Sequence, residues 1–336
     1  MSGAPGGPDA LADEVRALAQ RREWPGVAEL AGALPEGALL ADVEVAFHYA
    51  DALWHLGDVP RALDVAERIE PRVRHGGGRR LLLHLLNVIG ICLFRQGRGD
   101  GARRRWAELL ERAARWDDVE FVGRSCNNLG MLANLGGRHD EALGLYGRAV
   151  AAYSRIGFVH GLAQTHHNLA LSYRDLGFPE RADAHLRRAI RLARRAGLDD
   201  VVGLAESERA MLLVKAGEAA LAEVLAGQAA ERFERARDPL GRAEALRVRA
   251  AAARADARPA EAAAWLDEAL SAADADADPF LRAEVQRDRG VLLRDQGRPA
   301  EARAALCEGV DLFERVGAVH ELEAARSLLA GLDATT

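Results

Sequence analysis

At 336 residues the chain is long enough for two ordinary domains or one elongated repeat array. Hydrophobic residues make up 49%, but only 5% are aromatic; Ala and Leu, strong helix formers, dominate, and no period-two runs of Val, Ile or Thr point to a sheet. A formal net charge of −6 argues against a general nucleic-acid binder, and three scattered cysteines, Cys92, Cys126 and Cys307, argue against a disulfide framework or a zinc site and fit a reducing cytoplasm.

The N-terminal stretch MSGAPGGPDALADE has neither a basic start nor an apolar run, so it does not read as a signal peptide, and residues 1–8 are expected to be disordered. Residues 9–36, with LADEVRALAQ and EWPGVAELAGAL, read as a degenerate first helical hairpin. A forty-residue period then governs 37–318. It places Gly57, Gly97, Gly137, Gly177, Gly217, Ala257 and Gly297 in register. Seven positions before each stands Ala or Gly, from Ala50 to Gly290, and five after each stands Ala, from Ala62 to Ala302. A fixed period of this size means one supersecondary unit stacked repeatedly. The reference Gly ends a helix in the left-handed conformation, and Pro179, Pro259 and Pro299 follow two residues later, where a helix can begin with proline. Each unit is therefore predicted as helix, tight turn, helix, with small residues where the two helices cross. The longest apolar stretch, LLLHLLNVIGICLF, is interrupted by His84 and Asn87 and is too short to span a bilayer. Residues 319–336 read as a capping helix and tail, as arrays require at their ends.

The pattern N-L-[AG]-x-x-Y-x-x-L-G in Asn168, Leu169, Ala170, Tyr173, Leu176 and Gly177, continued by Ala182, Leu186 and Ala189, resembles the tetratricopeptide repeat family. Weaker copies extend the resemblance over about 40–316. The unit here is forty residues, longer than the family's commonest; HEAT-like repeats share that length and rank second, because they do not usually carry this Gly-turn and Ala signature. The resemblance implies an all-α right-handed superhelical solenoid of about eight hairpins with a C-terminal capping helix. Forty-residue versions are similar to the sensor regions of bacterial transcription regulators, to cytoplasmic receptors for signalling peptides and to the cargo-binding repeats of kinesin light chains. The Ala- and Arg-rich composition fits a bacterial source.

In such a family the first helix of each pair lines a concave groove. Carried onto this chain, the groove takes Arg124, Asn127, Asn128, Met131 and Asn134 from one repeat, and Gln164, His167, Asn168, Leu171 and Arg174 from the next. Asn87 precedes Asn127 by forty, and Asn128 precedes Asn168 by forty, so each pair is expected to stack. An amide side chain both accepts and donates, so a ladder of them can hold a peptide backbone whatever its side chains; the alternative is that Asn128 and Asn168 serve the packing of neighbouring helices. At the N-terminal end Phe47, Trp54, Ile91 and Phe94 share the face with Asp51 and His84. They either anchor apolar groups of a ligand or pack against the first hairpin. Further on, Arg209, Arg249 and Arg289 stand where earlier repeats have Tyr49, Ile89, Leu129 and Leu169. Arg247, Arg254, Arg287 and Arg294 lie nearby in the same register. Either Glu208, Glu244, Glu284, Asp288 and Asp295 neutralise them, or they form an anion-binding tier.

No Walker loop, G-x-S-x-G or H-E-x-x-H motif is present, so neither a catalytic role nor a cofactor is expected. His48 and His55 flank Trp54 without a carboxylate pattern, and the adjacent His166 and His167 point about 100° apart on a helix, so no metal site is expected. The expected function is that of an adaptor or regulator holding a protein or peptide segment in the groove, with no nucleic-acid or membrane partner. A self-assembling scaffold, forming homo-oligomers, and a nucleotide or anion binder using the arginines are the alternatives.

Overall fold

The computed structural model describes residues 8–76, 78–272, 279–316 and 318–333. Residues 1–7, which carry most of the expected N-terminal disorder, and the tail 334–336 lie outside the described residues, while Pro8 opens the first helix. Every regular element among the described residues is an α-helix. The chain divides into two compact units, one ending at Phe158 and the other beginning at Val159.

The first unit holds α1 (Pro8–Gln20), α2 (Trp24–Gly32), a short α3 (Glu36–Ala41), α4 (Val43–His55), α5 (Val59–Gly76), α6 (Arg79–Arg95), α7 (Gly99–Arg115), α8 (Val119–Leu135) and α9 (His139–Ile156). The second holds α10 (Val159–Asp175), α11 (Pro179–Arg195), α12 (Asp199–Lys215), α13 (Ala219–Ala236), α14 (Pro239–Ala255), α15 (Pro259–Ala272), α16 (Pro279–Asp295), α17 (Pro299–Val316) and α18 (Val319–Asp333). Within each unit, even-numbered helices from α4 onward pack against the odd-numbered helix that follows, and each such hairpin packs on the next. In the first unit α1 and α2 pack on α4; in the second α18 packs on α16 and α17. The chain is an all-α helical repeat protein built of stacked hairpins.

The turn chemistry follows the sequence at Gly177, whose φ of +79° is the left-handed conformation expected of a helix C-cap. Ala257, the one exception in that register, adopts φ +55° nonetheless. The turns between hairpins use the same geometry twenty residues away, at Asp117 (φ +53°), Gly157 (+66°), Gly197 (+66°) and Arg237 (+56°). Each forty-residue unit is thus two near-equal halves. Asp42, Asp118 and Asp238 cap α4, α8 and α14 by accepting backbone N–H bonds.

The small residue before each intra-hairpin turn is a socket. A Cβ on Gly90 would lie 2.2 Å from Nε1 of the fully buried Trp106, and one on Gly130 would lie 2.7 Å from the Tyr146 ring. Gly290 receives Leu306 in the same way, at 2.6 Å. The Ala five residues after the turn is solvent-free throughout, from Ala62 to Ala302, which lets the paired helices approach closely.

Candidate functional site

In the first unit the first helices α4, α6 and α8 lie side by side. Asn87 of α6 is buried, and its Oδ1 accepts from Asn128 Nδ2 of α8 at 3.0 Å. The expected register therefore slips by one residue, because Asn87 meets Asn128 rather than Asn127. Asn127 is half-buried on the same helix. Asn134 turns towards the hairpin's own turn, where its Oδ1 accepts from His139 Nδ1 at 2.9 Å. Arg124 donates to Glu120 at 2.8 Å and lies over the rings of Phe121 and Phe158. Glu120 also takes Arg80, at 2.9 Å.

A concavity of about 430 Å³ opens between α1, α4 and α6, lined by Arg16, Glu44, His48, Asp51, Arg80 and His84 among others. Burial pushes the His84 imidazole down to about 4 and also lowers His48, so both rings are neutral near pH 7. The aromatics of this end are largely spoken for by packing. Phe47 is buried against the His48 and His84 rings, Phe94 lies against Trp106, and His55 stacks on Trp24 of the first hairpin at 4.3 Å.

In the second unit His167, Asn168 and Arg174 are half-buried on α10. His167 shares a hydrogen bond with Asn168, and its Nε2 is enclosed without a partner. Arg174 reaches Glu208 of α12 at 2.7 Å and Asp175 at 2.9 Å. Burial disfavours the Arg174 charge, but the two carboxylates outweigh it and hold its pKa above the usual value. His166 is turned inward, with Nδ1 2.9 Å from Nδ1 of His185. Among the described residues no group of three or more His, Cys, Asp or Glu side chains is arranged to hold a metal ion.

Each of the tier arginines faces a carboxylate of its own unit. Arg209 reaches back to Asp183 of α11 (2.7 Å), Arg249 to Glu223 of α13 (3.6 Å) and Arg289 to Asp267 of α15 (3.6 Å). This position thus looks onto the preceding second helix, which explains why the partners were not among the acids of the first helices. Arg249 additionally lies 3.9 Å above the Trp265 ring. Arg254 and Arg294 share Asp295 at 2.7 and 3.0 Å. Arg247 contacts Glu244 (2.6 Å), Asp288 (2.8 Å) and Glu284 (3.7 Å), while Arg287 contacts Asp288 (3.0 Å) and Glu284 (3.7 Å).

Glu206, which the sequence reading passed over, is wholly buried on α12 and holds Arg194 (2.6 Å) and Arg232 (3.0 Å). Its signal was available: the same register holds Leu86, Cys126, His166 and Leu246 in other repeats.

Two family models described as tetratricopeptide repeat match the sequence, over residues 81–155 and 162–196. The protein carries tetratricopeptide repeats. These matched stretches run from within α6 to within α9 in the first unit and cover most of α10 and all of α11 in the second. No curated protein matches the sequence. Among solved structures, the tetratricopeptide repeat chain resembles a Rap protein complexed with Competence and Sporulation Factor. The TM-score is 0.63 at 15% identity, covering 98% of each chain. The apo quorum sensor NprR from B. thuringiensis aligns at a TM-score of 0.59 and 13% identity, over 96% of this chain and 98% of that one. A Signal Transduction ATPase with Numerous Domains from Pyrococcus horikoshii, with a tetratricopeptide repeat sensor, aligns at 0.64 and 13% identity, over 96% of this chain and 50% of that one. At these identities the likeness is one of fold.

Proposed function

We propose that this tetratricopeptide repeat protein is a binding module of the adaptor or regulator kind, which recognises a peptide or a segment of a partner protein on the faces formed by its first helices. The observation that carries this reading is the concavity between α1, α4 and α6. There the first-helix face is hollow and lined with charged and polar side chains rather than closed by packing. Beside it, Arg124, Asn127 and Asn128 offer donors and acceptors suited to a polypeptide backbone. In the second unit His167, Asn168 and Arg174 are the corresponding candidates. The likeness in fold to a Rap protein solved with a signalling factor and to a quorum sensor supports a regulatory role. The tier arginines are left out of the proposed contact surface: Arg209, Arg249 and Arg289 turn onto the preceding second helices, and Arg247, Arg254, Arg287 and Arg294 are taken up with the carboxylates of their own cluster. No catalytic group, cofactor, nucleic acid or membrane is part of the proposal, and among the described residues no helix is long and apolar enough to cross a membrane. A cytoplasmic location is part of it.

The test is affinity for a partner captured from host extracts, measured with one substitution in each unit. Asn127→Ala and Asn168→Ala are each expected to weaken binding by about 0.5–1.5 kcal/mol at unchanged helical content. Full affinity in both folded variants would reject the first-helix faces as the binding surface. A second reading, self-assembly, is favoured by Leu221 and Val224, which expose 43% and 55% of their surface on α13. Sedimentation of the purified chain distinguishes it, since a monomer at all concentrations removes that reading.

A further inference from the structure

We propose that Asp51 anchors a cationic group of the bound partner, an N-terminal ammonium or a basic side chain of a peptide, inside the concavity between α1, α4 and α6. This rests on the peptide-binding reading of that face and names the chemistry of one subsite within it.

The Asp51 side chain keeps 21% of its surface open, so a ligand can reach it, yet most of its hydration is gone. Inside the protein it accepts one strong bond, from Trp54 Nε1 at 2.7 Å. Among the described residues the nearest basic atom is Nε2 of His55, at 3.9 Å. That ring lies between Trp24 and Trp54, with centroids 4.3 and 3.9 Å away, and burial brings it down to about 4, so it is uncharged near neutral pH. The arginines lining the same concavity are engaged elsewhere: Arg16 with Glu44 (2.8 Å) and Asp13 (2.9 Å), Arg80 with Glu120 (2.9 Å). The other carboxylate there, Glu44, is the one Arg16 holds. Arg22 and Arg124 act on Asp51 electrostatically, but neither stands within ion-pairing distance, and charges at longer range are screened by salt.

Asp51 is therefore a largely dehydrated carboxylate, open to a hollow, and among the described residues it has no charged partner. Burial raises its pKa, with the Trp54 bond opposing the shift. A partly buried anion of this kind is best relieved by a cation that also donates hydrogen bonds. The His48 and His84 rings, both lowered by burial and uncharged near neutral pH, line the site beside Phe47 and bring no competing positive charge to it.

The experiment follows the Trp54 indole N–H resonance of the full chain, assigned with Trp54→Phe, during titration with three alanine-based pentapeptides. One is acetylated and amidated with a central arginine, one has a free N-terminus, and one carries citrulline in place of arginine. A cationic peptide is expected to shift the resonance and the citrulline peptide to leave it in place; the arginine and free-amine arms identify which cation the site takes. Asp51→Asn keeps an acceptor for Trp54 but removes the charge, and is expected to weaken that binding about 10- to 100-fold. Asp51→Glu should retain it. The proposal falls if neither cationic peptide shifts Trp54, if Asp51→Asn binds as tightly as the parent, or if Asp51→Asn melts several degrees lower, which would mean that an internal cation already serves the carboxylate. A captured partner that needs Asn127 but ignores Asp51→Asn would remove this subsite and leave the binding-module reading intact. Cationic peptides that need Asp51, joined to a partner indifferent to Asn127 and Asn168, would keep the subsite and remove the amide contacts from the binding surface.

Discussion

At the scale of single residues, the charge arithmetic of the second unit runs opposite to an anion site. Arg247 and Arg287 face three carboxylates, Glu244, Glu284 and Asp288, so the network holds one acid in excess. Arg247 is almost enclosed, with 7% of its side chain exposed. Burial pushes Glu284 up to about 7, with Glu244 and Asp288 adding to the rise and Arg247 and Arg287 opposing it. The folded chain thus keeps a proton that the unfolded chain releases at about 4.5. The stability this contributes is fully present below about 4.5 and is lost as pH rises through 7. Glu284→Gln mimics the protonated form and cannot titrate. We expect its stability relative to the parent to grow across that window, reaching about 1–3 kcal/mol at pH 8. Denaturant melts of both proteins at pH 4.5, 6 and 8 measure this; a difference independent of pH would mean that Glu284 is ionised throughout.

At the scale of elements, ion pairs that look alike in sequence do different work. Arg249 of α14 lies over Trp265 of α15 and stands 3.6 Å from Glu223 of α13, so it staples three helices from a half-exposed position. Glu223 retains Arg258 when Arg249 is removed. Arg249→Leu should therefore cost about 1 kcal/mol or less. Arg247→Leu instead strands buried carboxylates between α14 and α16 and should cost about 3–5 kcal/mol. Urea unfolding of the two variants side by side checks the ranking; equal losses would contradict the burial difference. The turns show the same dependence on context. Asp117, Arg237 and Ala257 hold a left-handed backbone at a cost of about 1–2 kcal/mol each relative to Gly. The helices that each of them joins pack directly on one another, which holds the turn in place.

At the scale of the molecule, an array must end on a polar surface. In the second unit α18 turns Leu322, Ala325, Leu328 and Leu332 onto the last hairpin, next to Leu293, Leu306 and Phe313, and exposes Glu323 and Arg326. Truncation after Val316 bares those side chains. It should lower the melting temperature by several degrees and raise binding of a hydrophobic dye. A truncated chain with an unchanged melt and no added dye binding would show that α18 is dispensable to the second unit.

The periodic part of the protein was legible in the sequence because it is local chemistry repeated. Glycine at one register, small residues seven before and five after, and prolines opening helices declare helix, turn and crossing without reference to anything distant. Gly157 and Gly197 mark the second turn forty residues apart, but Asp117 and Arg237 interrupt that series, so it stands out less than the first. The candidate site was legible only as a face. Stepping by forty put Asn87 against Asn127, whereas packing of α6 on α8 brought it to Asn128, because the tilt between neighbouring helices shifts side-chain register by a residue. The partners of Arg209, Arg249 and Arg289 lie on other helices, so only the tertiary arrangement shows them. The same holds for Asp51, where exposure, the tryptophan donor and, among the described residues, the lack of a facing cation are consequences of how α1, α4 and α6 meet. Sequence determined where each helix begins, ends and hides its apolar stripe; the charge balance of each cluster was decided by packing, because Coulomb energy depends on distances between helices that no local pattern encodes.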